Sequence, residues 1–228
     1  MSPRIDHLVI AADSLEQGEA WCAGVFGVEP SGGGRHALMG THNRLMSITS
    51  EHFPDCYLEL IAIDPRAPAP GRPRWFGLDD PVLQAAVRER PRLVHAVART
   101  RAIEADRRAL VGVGLDPGEP IALERETPYG LLRWRVTVRD DGRTECSGAL
   151  PSLIEWHGTH PSEHLPPSEV EIRDVVLRGV PEAALEVLRL PAVVVQERDE
   201  AHPQPLSATF DTSHGRIVLD GWVPPTGA

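Results

Sequence analysis

Two histidines and two glutamates occupy matching places in the sequence and could together hold a metal ion. His7 and His95 each stand third in an apolar run typical of a buried strand, IDHLVIAA and LVHAVART. Glu59 and Glu155 each stand in a later strand-like run, in LEL and IEW. A carboxylate in such a run is costly to bury without a partner. Imidazole and carboxylate together suit Zn, Ni, Co, Fe or Mn, and the mixture does not choose among them.

These four residues belong to two copies of one repeated unit. After the first strand of each copy comes a helical segment, which starts near Ser14 in one copy and near Ala102 in the other. Each helix ends in a Gly-apolar-acid-Pro sequence, GVEP or GLDP, which is typical of a helix end followed by a turn. Further strand-like runs follow in both copies, so each copy is predicted to fold as a βαβββ module.

The repeat predicts an α+β fold in which paired βαβββ modules form a cleft between curved mixed sheets. We expect module 1 at residues 1–66, a linker with a short helix at 67–90, and module 2 at 91–165. Residues 166–228 repeat part of the pattern without the histidine, and we expect a partial third module there, packed on the same fold.

A second polar cluster, GGGRHALMGTHNR, could line this cleft beside the metal. Its glycines allow close approach of the backbone, and an arginine can hold a carboxylate or phosphate through two hydrogen bonds. His42 is a candidate general base, and His36, His42 or His157 could replace one of the four metal ligands. The alternative is an ordinary glycine-rich loop whose side chains make turn hydrogen bonds. The candidate substrate-binding residues are Arg35, His36, Thr41, Asn43, Arg44 and, from a later strand, Arg133.

The sequence resembles the vicinal oxygen chelate superfamily and, within it, the glyoxalase-like domain branch. The segments IDHLVIAADSLE, GGGRHALMGTHNRLMSI, YLELIAID and PSLIEWHGTHPSEHLP carry the resemblance. The resemblance implies that the first and last strands of each module supply metal ligands. The set His7, Glu59, His95 and Glu155 matches the bacterial glyoxalase I pattern in type and order. It further implies that Glu155 or Glu59 carries a proton, so that Glu155→Gln abolishes turnover while keeping the fold.

The expected function is therefore that of a metal-dependent glyoxalase-like enzyme, a lyase, an isomerase or a related type. Its substrate would be a small oxygenated molecule that a divalent metal chelates in the cleft between the modules. Two alternatives remain open. The chain could be a metal-free small-molecule binding or resistance protein of the same fold. It could also be an Fe(II) extradiol-type dioxygenase, which needs two histidines and one carboxylate.

The composition limits the remaining partners. A formal net charge of −10 gives no bulk attraction for nucleic acid or for an anionic membrane. We see no signal peptide and no apolar run long enough to span a membrane. The 3 cysteines lie far apart in sequence, which favours reduced thiols in a cytoplasmic protein. A small-molecule substrate is the expected partner, and the chain is expected to be a monomer or a homodimer.

Overall fold

The structure is a computed structural model that describes residues 3–224. Three successive segments of the chain each run in the order βαβββ, and a linker with one helix joins the first two. The first contains β1 (Arg4–Ala11), α1 (Leu15–Phe26), β2 (Ser31–His36), β3 (Thr41–Ser47) and β4 (Tyr57–Ile63). The linker holds a 3-10 turn (Trp75–Gly77) and α2 (Pro81–Glu89). The second contains β5 (Arg92–Arg99), α3 (Ile103–Gly112), β6 (Glu119–Thr127), β7 (Gly130–Val138) and β8 (Ser152–His157). The third contains β9 (Glu171–Arg178), α4 (Glu182–Leu188), β10 (Val193–Gln196), β11 (Leu206–Thr212) and β12 (Gly215–Asp220).

The strands form two mixed sheets. The first two segments share one sheet of 8 strands in the order β2-β3-β4-β1-β5-β8-β7-β6, in which β1 and β5 pair antiparallel at the centre. Each half of this sheet has the same internal order, so the two halves are related by an approximate twofold axis between β1 and β5. The third segment forms its own sheet in the order β10-β9-β11-β12. The α+β fold of paired modules with a further C-terminal module is confirmed, whereas the domain boundaries stay a prediction.

The large sheet curves strongly, so that its two edge strands, β2 and β6, approach each other across the concave face. The alternation of side chains along each strand divides the core in two. On β1, Leu8 and Ile10 point outward into the main core, which Phe26 of α1 and Phe210 of β11 complete. Val9 points inward and packs with Trp75 and the other residues that cover the concave face.

Local sequence explains where the helices of the first half begin and end. Ser14 caps α1, because its hydroxyl oxygen accepts a hydrogen bond from the backbone N–H of Gln17 at 3.1 Å. Gly27 ends α1 in the left-handed conformation, with φ of 74°. Asp80 caps α2 in the same manner as Ser14, and Pro81 occupies the first turn. Within residues 3–224, every helix is too short or too polar to cross a lipid bilayer.

Candidate functional site

A β-bulge brings Asp6 and His7 together at the start of the candidate site. The pairing of β1 with β5 shifts register between Ile5 and His7, so Asp6 has no direct partner on β5. The two side chains, neighbours in sequence, therefore contact each other, with 2.7 Å between Asp6 Oδ1 and His7 Nδ1. Both residues are buried. An Asp-His pair of this kind fixes the orientation of the imidazole ring.

The other oxygen of Asp6 is held by the segment that follows β8. The distance from His160 Nε2 to Asp6 Oδ2 is 2.9 Å, and Trp156 Nε1 donates to the same oxygen at 3.3 Å. His160 Nδ1 accepts from the backbone N–H of Ser162, so the proton of this ring lies on Nε2 and is donated to Asp6. Burial by itself would raise the pKa of Asp6. The hydrogen bonds from His160 and His7 together outweigh burial and bring the pKa well below its ordinary value. Asp6 therefore stays ionised.

An ionised Asp6 determines which nitrogen of His7 faces the concave side. His7 Nδ1 donates its proton to Asp6, which leaves the lone pair of the neutral ring on Nε2. His7 Nε2 lies 3.7 Å from Oε2 of Glu59, on the neighbouring strand β4. The ring of Tyr57 stacks on His7 with 4.6 Å between the centroids. Burial, followed by the charges of Asp6 and Glu59, raises the pKa of Tyr57 well above its ordinary value, so the phenol stays protonated.

Asn43 on β3 connects Glu59 to a cation from the other half of the sheet. Its Nδ2 donates to Glu59 Oε1 at 2.6 Å. Its Oδ1 accepts from the backbone N–H of Gly34 at 2.8 Å and from Arg125 Nη1 at 2.9 Å. Because the oxygen of the amide receives two N–H groups, the orientation of the amide is fixed. Glu59 thus has one oxygen held by Asn43 and the other turned toward His7.

Arg125 reaches this point from β6, at the far edge of the sheet. Gly34 on β2 makes room for it, since a Cβ atom built at Gly34 would lie 2.6 Å from Arg125 Cδ. The glycines of this segment therefore belong to a strand, and one of them admits a side chain from the other module.

These groups surround a cavity of about 40 Å³, enough for a few water-sized groups. The linker covers it with Trp75 and Phe76, and Trp134 and Trp156 add further aromatic walls. Phe76 has a φ of 57°, a costly conformation for an aromatic residue that places its ring against Trp75. The lining is His7, His36, Asn43, Leu45, Tyr57, Glu59, Trp75, Phe76, Val97, Arg125, Trp134, Val136, Ile154, Trp156 and Pro161.

His36, which also lines this cavity, is held in its neutral form. Burial, followed by the charge of Arg125, lowers the pKa of His36 to about 3. Its Nδ1 lies 3.0 Å from the hydroxyl oxygen of Thr41, which stands behind it on β3. Asn43 Nδ2 lies 3.4 Å from the other ring nitrogen. His36 and Asn43 are therefore part of the cavity lining, and Thr41 supports them from behind.

His95 lies on the same sheet face but not in this cavity. The backbone carbonyl oxygen of Gly148 accepts from its Nδ1 at 3.1 Å, and its Nε2 accepts from the backbone N–H of Ser152 at 3.1 Å. The ring of Phe76 lies 5.2 Å away and covers it. Burial lowers the pKa of His95 to about 3. Both nitrogen atoms are thus used within the fold, and the expected contact with His7 and Glu59 does not form.

Glu155 lies on the opposite, outer face of the sheet, which corrects its expected place in the cleft. Its Oε2 accepts from Arg135 Nη2 at 2.5 Å. Its neighbours Ile154 and Trp156 line the cavity instead. The reason is the period of two along a strand, by which adjacent residues point to opposite faces. His157 is exposed beyond Glu155, with 3.9 Å between Nε2 and Oε2.

Four further candidates were expected to line the cleft. In the structure they are absent from the cavity lining. On β3, His42 and Arg44 alternate with the inward Asn43, and Arg44 pairs with Glu19 of α1 at 2.7 Å. Arg35 is exposed and pairs with Asp64 at 3.1 Å, and Arg133 is exposed and pairs with Glu124 at 3.4 Å. These arginines bind acidic side chains of the chain itself.

The residues present do not fit the predicted metal ion. Only His7 and Glu59 of the proposed ligands meet, and no group of three or more His, Cys, Asp or Glu side chains within residues 3–224 is arranged to hold a metal. Two buried nitrogen atoms of cavity-lining residues, Arg125 Nε and Trp75 Nε1, have no partner among the described residues. Both carry hydrogen and can only donate, whereas a metal ion needs lone pairs. His7, His36 and Glu59 all line the cavity, but within residues 3–224 they are not arranged as the two histidines and one carboxylate of an extradiol site.

Sequence reasoning missed four residues of this site. Asp6 precedes His7 directly, and only the bulge in β1 gives the pair its contact. Tyr57 opens β4, two residues before Glu59. Arg125 belongs to β6, a strand of alternating exposed residues that lacks an apolar signal. His160 lies in the segment after β8, and its spacing from His157 and His164 was the available signal.

Comparison with known proteins places this architecture. No curated protein sequence matches the chain. A hypothetical protein from Staphylococcus aureus is similar in structure at 16% identity, with a TM-score of 0.55, over 96% of this chain and 85% of the other. Methylmalonyl-CoA epimerase from Streptomyces coelicolor is similar at 16% identity, with a TM-score of 0.43, over 70% of this chain and 99% of the other. The first likeness shows the fold alone. The family model described as a glyoxalase-like domain matches residues 5–192, most of the chain, which therefore belongs to the glyoxalase-like domain family.

Proposed function

We propose that this protein is a glyoxalase-like enzyme of the lyase or isomerase type that moves a proton at a carbon atom of a small oxygenated molecule. The observation that carries the proposal is the array of Asp6, His7 and Glu59. An oriented imidazole presents its lone pair beside a carboxylate oxygen, at the wall of a cavity lined by aromatic rings. General acid-base catalysis requires this combination of a positioned base and a second group that exchanges protons with it.

In the reaction we propose, His7 Nε2 takes a proton from a carbon next to a carbonyl group of the substrate. The C–H bond breaks, the proton moves to Nε2, and the electron pair remains on the substrate as an enolate. Asp6 stabilises the imidazolium that forms, through the 2.7 Å contact at Nδ1. Glu59 Oε2, at 3.7 Å from Nε2, is placed to receive the proton or to return it to another carbon or to oxygen. The positive charge of Arg125 stabilises the negative oxygen.

This proposal differs from the metal-dependent enzyme expected from the sequence in how the oxyanion is stabilised. Arg125 brings a permanent positive charge to the cavity, and its position depends on the contacts with Asn43 and Gly34. No step requires His95 or Glu155. The metal-free binding protein remains the second candidate. The small cavity with four aromatic walls favours it, because such a cavity can hold a ligand without any chemistry.

The test is exchange of carbon-bound hydrogen with solvent. Small 2-oxo and 2-hydroxy compounds would be incubated with the protein in deuterium oxide, and incorporation followed by proton NMR. We expect exchange in the wild type and a loss of about 10²–10⁴-fold in His7→Gln, the usual contribution of a general base. Glu155→Gln is the matched control, since this residue binds Arg135 on the outer face, and it should exchange at the wild-type rate.

Equal exchange in the wild type and His7→Gln would refute the assignment of His7. A loss in Glu155→Gln with the fold intact would favour the role first inferred from the resemblance. Saturable binding of these compounds, measured by calorimetry, without any deuterium incorporation would support the binding protein instead.

A further inference from the structure

Arg125 is a partly buried cation that makes no direct ion pair with any carboxylate in the described part of the chain. Most arginines near the sheet pair with a carboxylate, as Arg135 does with Glu155 at 2.5 Å. Arg125 has no acidic oxygen within 4.0 Å among residues 3–224, and Asn43 stands between it and Glu59. Removing a guanidinium from water without a counter-ion is costly, and the cost is recovered when an anion binds.

Two buried donor groups in the cavity lining have no acceptor among the described residues. Arg125 Nη1 donates to Asn43, whereas Arg125 Nε is buried and has no partner in the described part of the chain. Trp75 also lines the cavity and is 5% exposed, and its indole Nε1 is likewise buried without an acceptor among the described residues. Native proteins rarely leave buried N–H groups without an acceptor. Two residues in the lining of one cavity with such donors, one of them a cation, suit a negatively charged group with several acceptor oxygens.

We propose that the substrate carries a carboxylate and that Arg125, assisted by Trp75 Nε1, binds it. This inference rests on the proposed function and names the class of its substrate. A planar guanidinium held at Nη1 by Asn43 and seated over Gly34 matches the flat geometry of a carboxylate. A cavity of about 40 Å³ restricts the rest of the molecule to a short chain.

The position of the carboxylate also places the reacting carbon. With its carboxylate on Arg125, a short 2-oxo or 2-hydroxy acid extends along the side of Asn43 toward Glu59 and His7, because Asn43 contacts both Arg125 and Glu59. The carbon that would lose its proton, C3 of a 2-oxo acid or C2 of a 2-hydroxy acid, then faces His7 Nε2. The class of substrate is therefore the short 2-oxo and 2-hydroxy carboxylic acids.

The experiment is calorimetric titration of the full chain with pyruvate and lactate, beside their uncharged counterparts hydroxyacetone and propane-1,2-diol. We expect the acids to bind at least tenfold more tightly than the uncharged molecules. Arg125→Gln should weaken binding of the acids about ten- to a hundredfold, the usual contribution of a hydrogen bond to a charged group. Arg125→Lys should retain part of it. Trp75→Phe keeps an aromatic ring and should weaken binding severalfold.

Arg133→Gln is the matched control, because Arg133 lies on the neighbouring strand, is exposed and pairs with Glu124. It should bind the acids as the wild type does. Circular dichroism and an unfolding curve for each variant separate a lost site from a lost fold, and Arg125→Lys covers the case in which Arg125→Gln does not fold. Equal affinity for acids and uncharged molecules, or unchanged affinity in both Arg125 variants, overturns the inference.

The outcomes also separate this inference from the proposed function. Tight, Arg125-dependent binding of the acids without deuterium exchange supports the carboxylate site and refutes proton transfer. Exchange that depends on His7 but proceeds equally with uncharged hydroxyacetone supports proton transfer and overturns the carboxylate site.

Discussion

Two adjacent glycines of β2 should respond in opposite ways to the same substitution. A Cβ atom at Gly33 would lie 2.0 Å from the backbone oxygen of Asn43, and Gly33 has a φ of +84°. A Cβ atom at Gly34 would meet the side chain of Arg125, at 2.6 Å from Cδ, and no positive φ is required there. Gly33→Ala therefore opposes the backbone, whereas Gly34→Ala opposes a flexible side chain that can move away.

The magnitudes differ accordingly. In Gly33→Ala the left-handed backbone costs about 1–2 kcal/mol, and separation of β2 from β3 brings the loss to roughly 3–4 kcal/mol. In Gly34→Ala the hydrogen bond from Arg125 to Asn43 is lost, but the displaced Arg125 can bind water instead. Alanine also lowers the conformational entropy of the unfolded chain, which stabilises the folded protein by about 0.4–1 kcal/mol. We expect a net change of about 1 kcal/mol or less. Binding of pyruvate should nevertheless fall at least about tenfold, because Arg125 has left its position.

Urea unfolding followed by circular dichroism gives the free energies, and calorimetry gives the affinities. Gly24→Ala serves as the control for the unfolding measurement. Its Cβ meets nothing within 4 Å on helix α1, so it should stabilise the protein by about 1 kcal/mol. Equal losses of stability at Gly33 and Gly34, or wild-type affinity in Gly34→Ala, would show that β2 does not position Arg125 as we infer.

Two other measurements test the buried histidines and the aspartate. The pKa of His36 and of His95 is lowered by burial to about 3, so between pH 6.5 and 4.5 the unfolded chain binds protons that the folded chain does not. The free energy of unfolding should fall as the pH falls through this window, by on the order of 1 kcal/mol per pH unit for each histidine. Urea titrations at three pH values give this slope, and the slope should be shallower in His95→Gln than in the wild type. An equal slope in the two proteins would contradict the burial of a neutral ring. Asp6→Asn presents an N–H group to His7, which favours the tautomer with its proton on Nε2, so deuterium exchange should fall roughly 10³–10⁴-fold and nitrogen NMR should report the changed tautomer. An unchanged tautomer in that variant would exclude Asp6 as the residue that positions His7.

The architecture was predictable because its signal is repeated. The run Tyr57–Asp64 predicted a strand, and β4 covers Tyr57–Ile63. Ser14 and the GVEP sequence predicted the ends of α1, and the structure has the same cap and stop. Strand β6 escaped prediction, because both of its faces carry exposed or half-buried residues and its pairing with β7 determines its structure.

The site was predictable only in part, since a sequence gives the period of a strand but not its face. His7 Nε2 and Glu59 Oε2 lie 3.7 Å apart on the concave face, whereas Glu155 points outward, and a shift of one residue decides between these two arrangements. The bulge at Asp6 has no local signal that distinguishes it from a regular strand. Arg125 lies 82 residues from Asn43 in sequence, and only the curvature of the sheet brings them together.

The contact between Arg125 and the β2-β3 hairpin has a consequence for the order of folding. A nascent chain that has completed β1 to β4 already contains Asp6, His7, Asn43 and Glu59, but it lacks the cation that completes the cavity. Trp75 and Phe76 of the linker can cover the cavity, and Arg125 of β6 can contact Asn43, only after β1 has paired with β5 at the centre of the sheet. Contacts of such high sequence separation form late, since the entropy of closing a long loop must first be overcome. Carboxylate binding should therefore appear last during refolding, and the rate at which it appears would report the docking of the two halves.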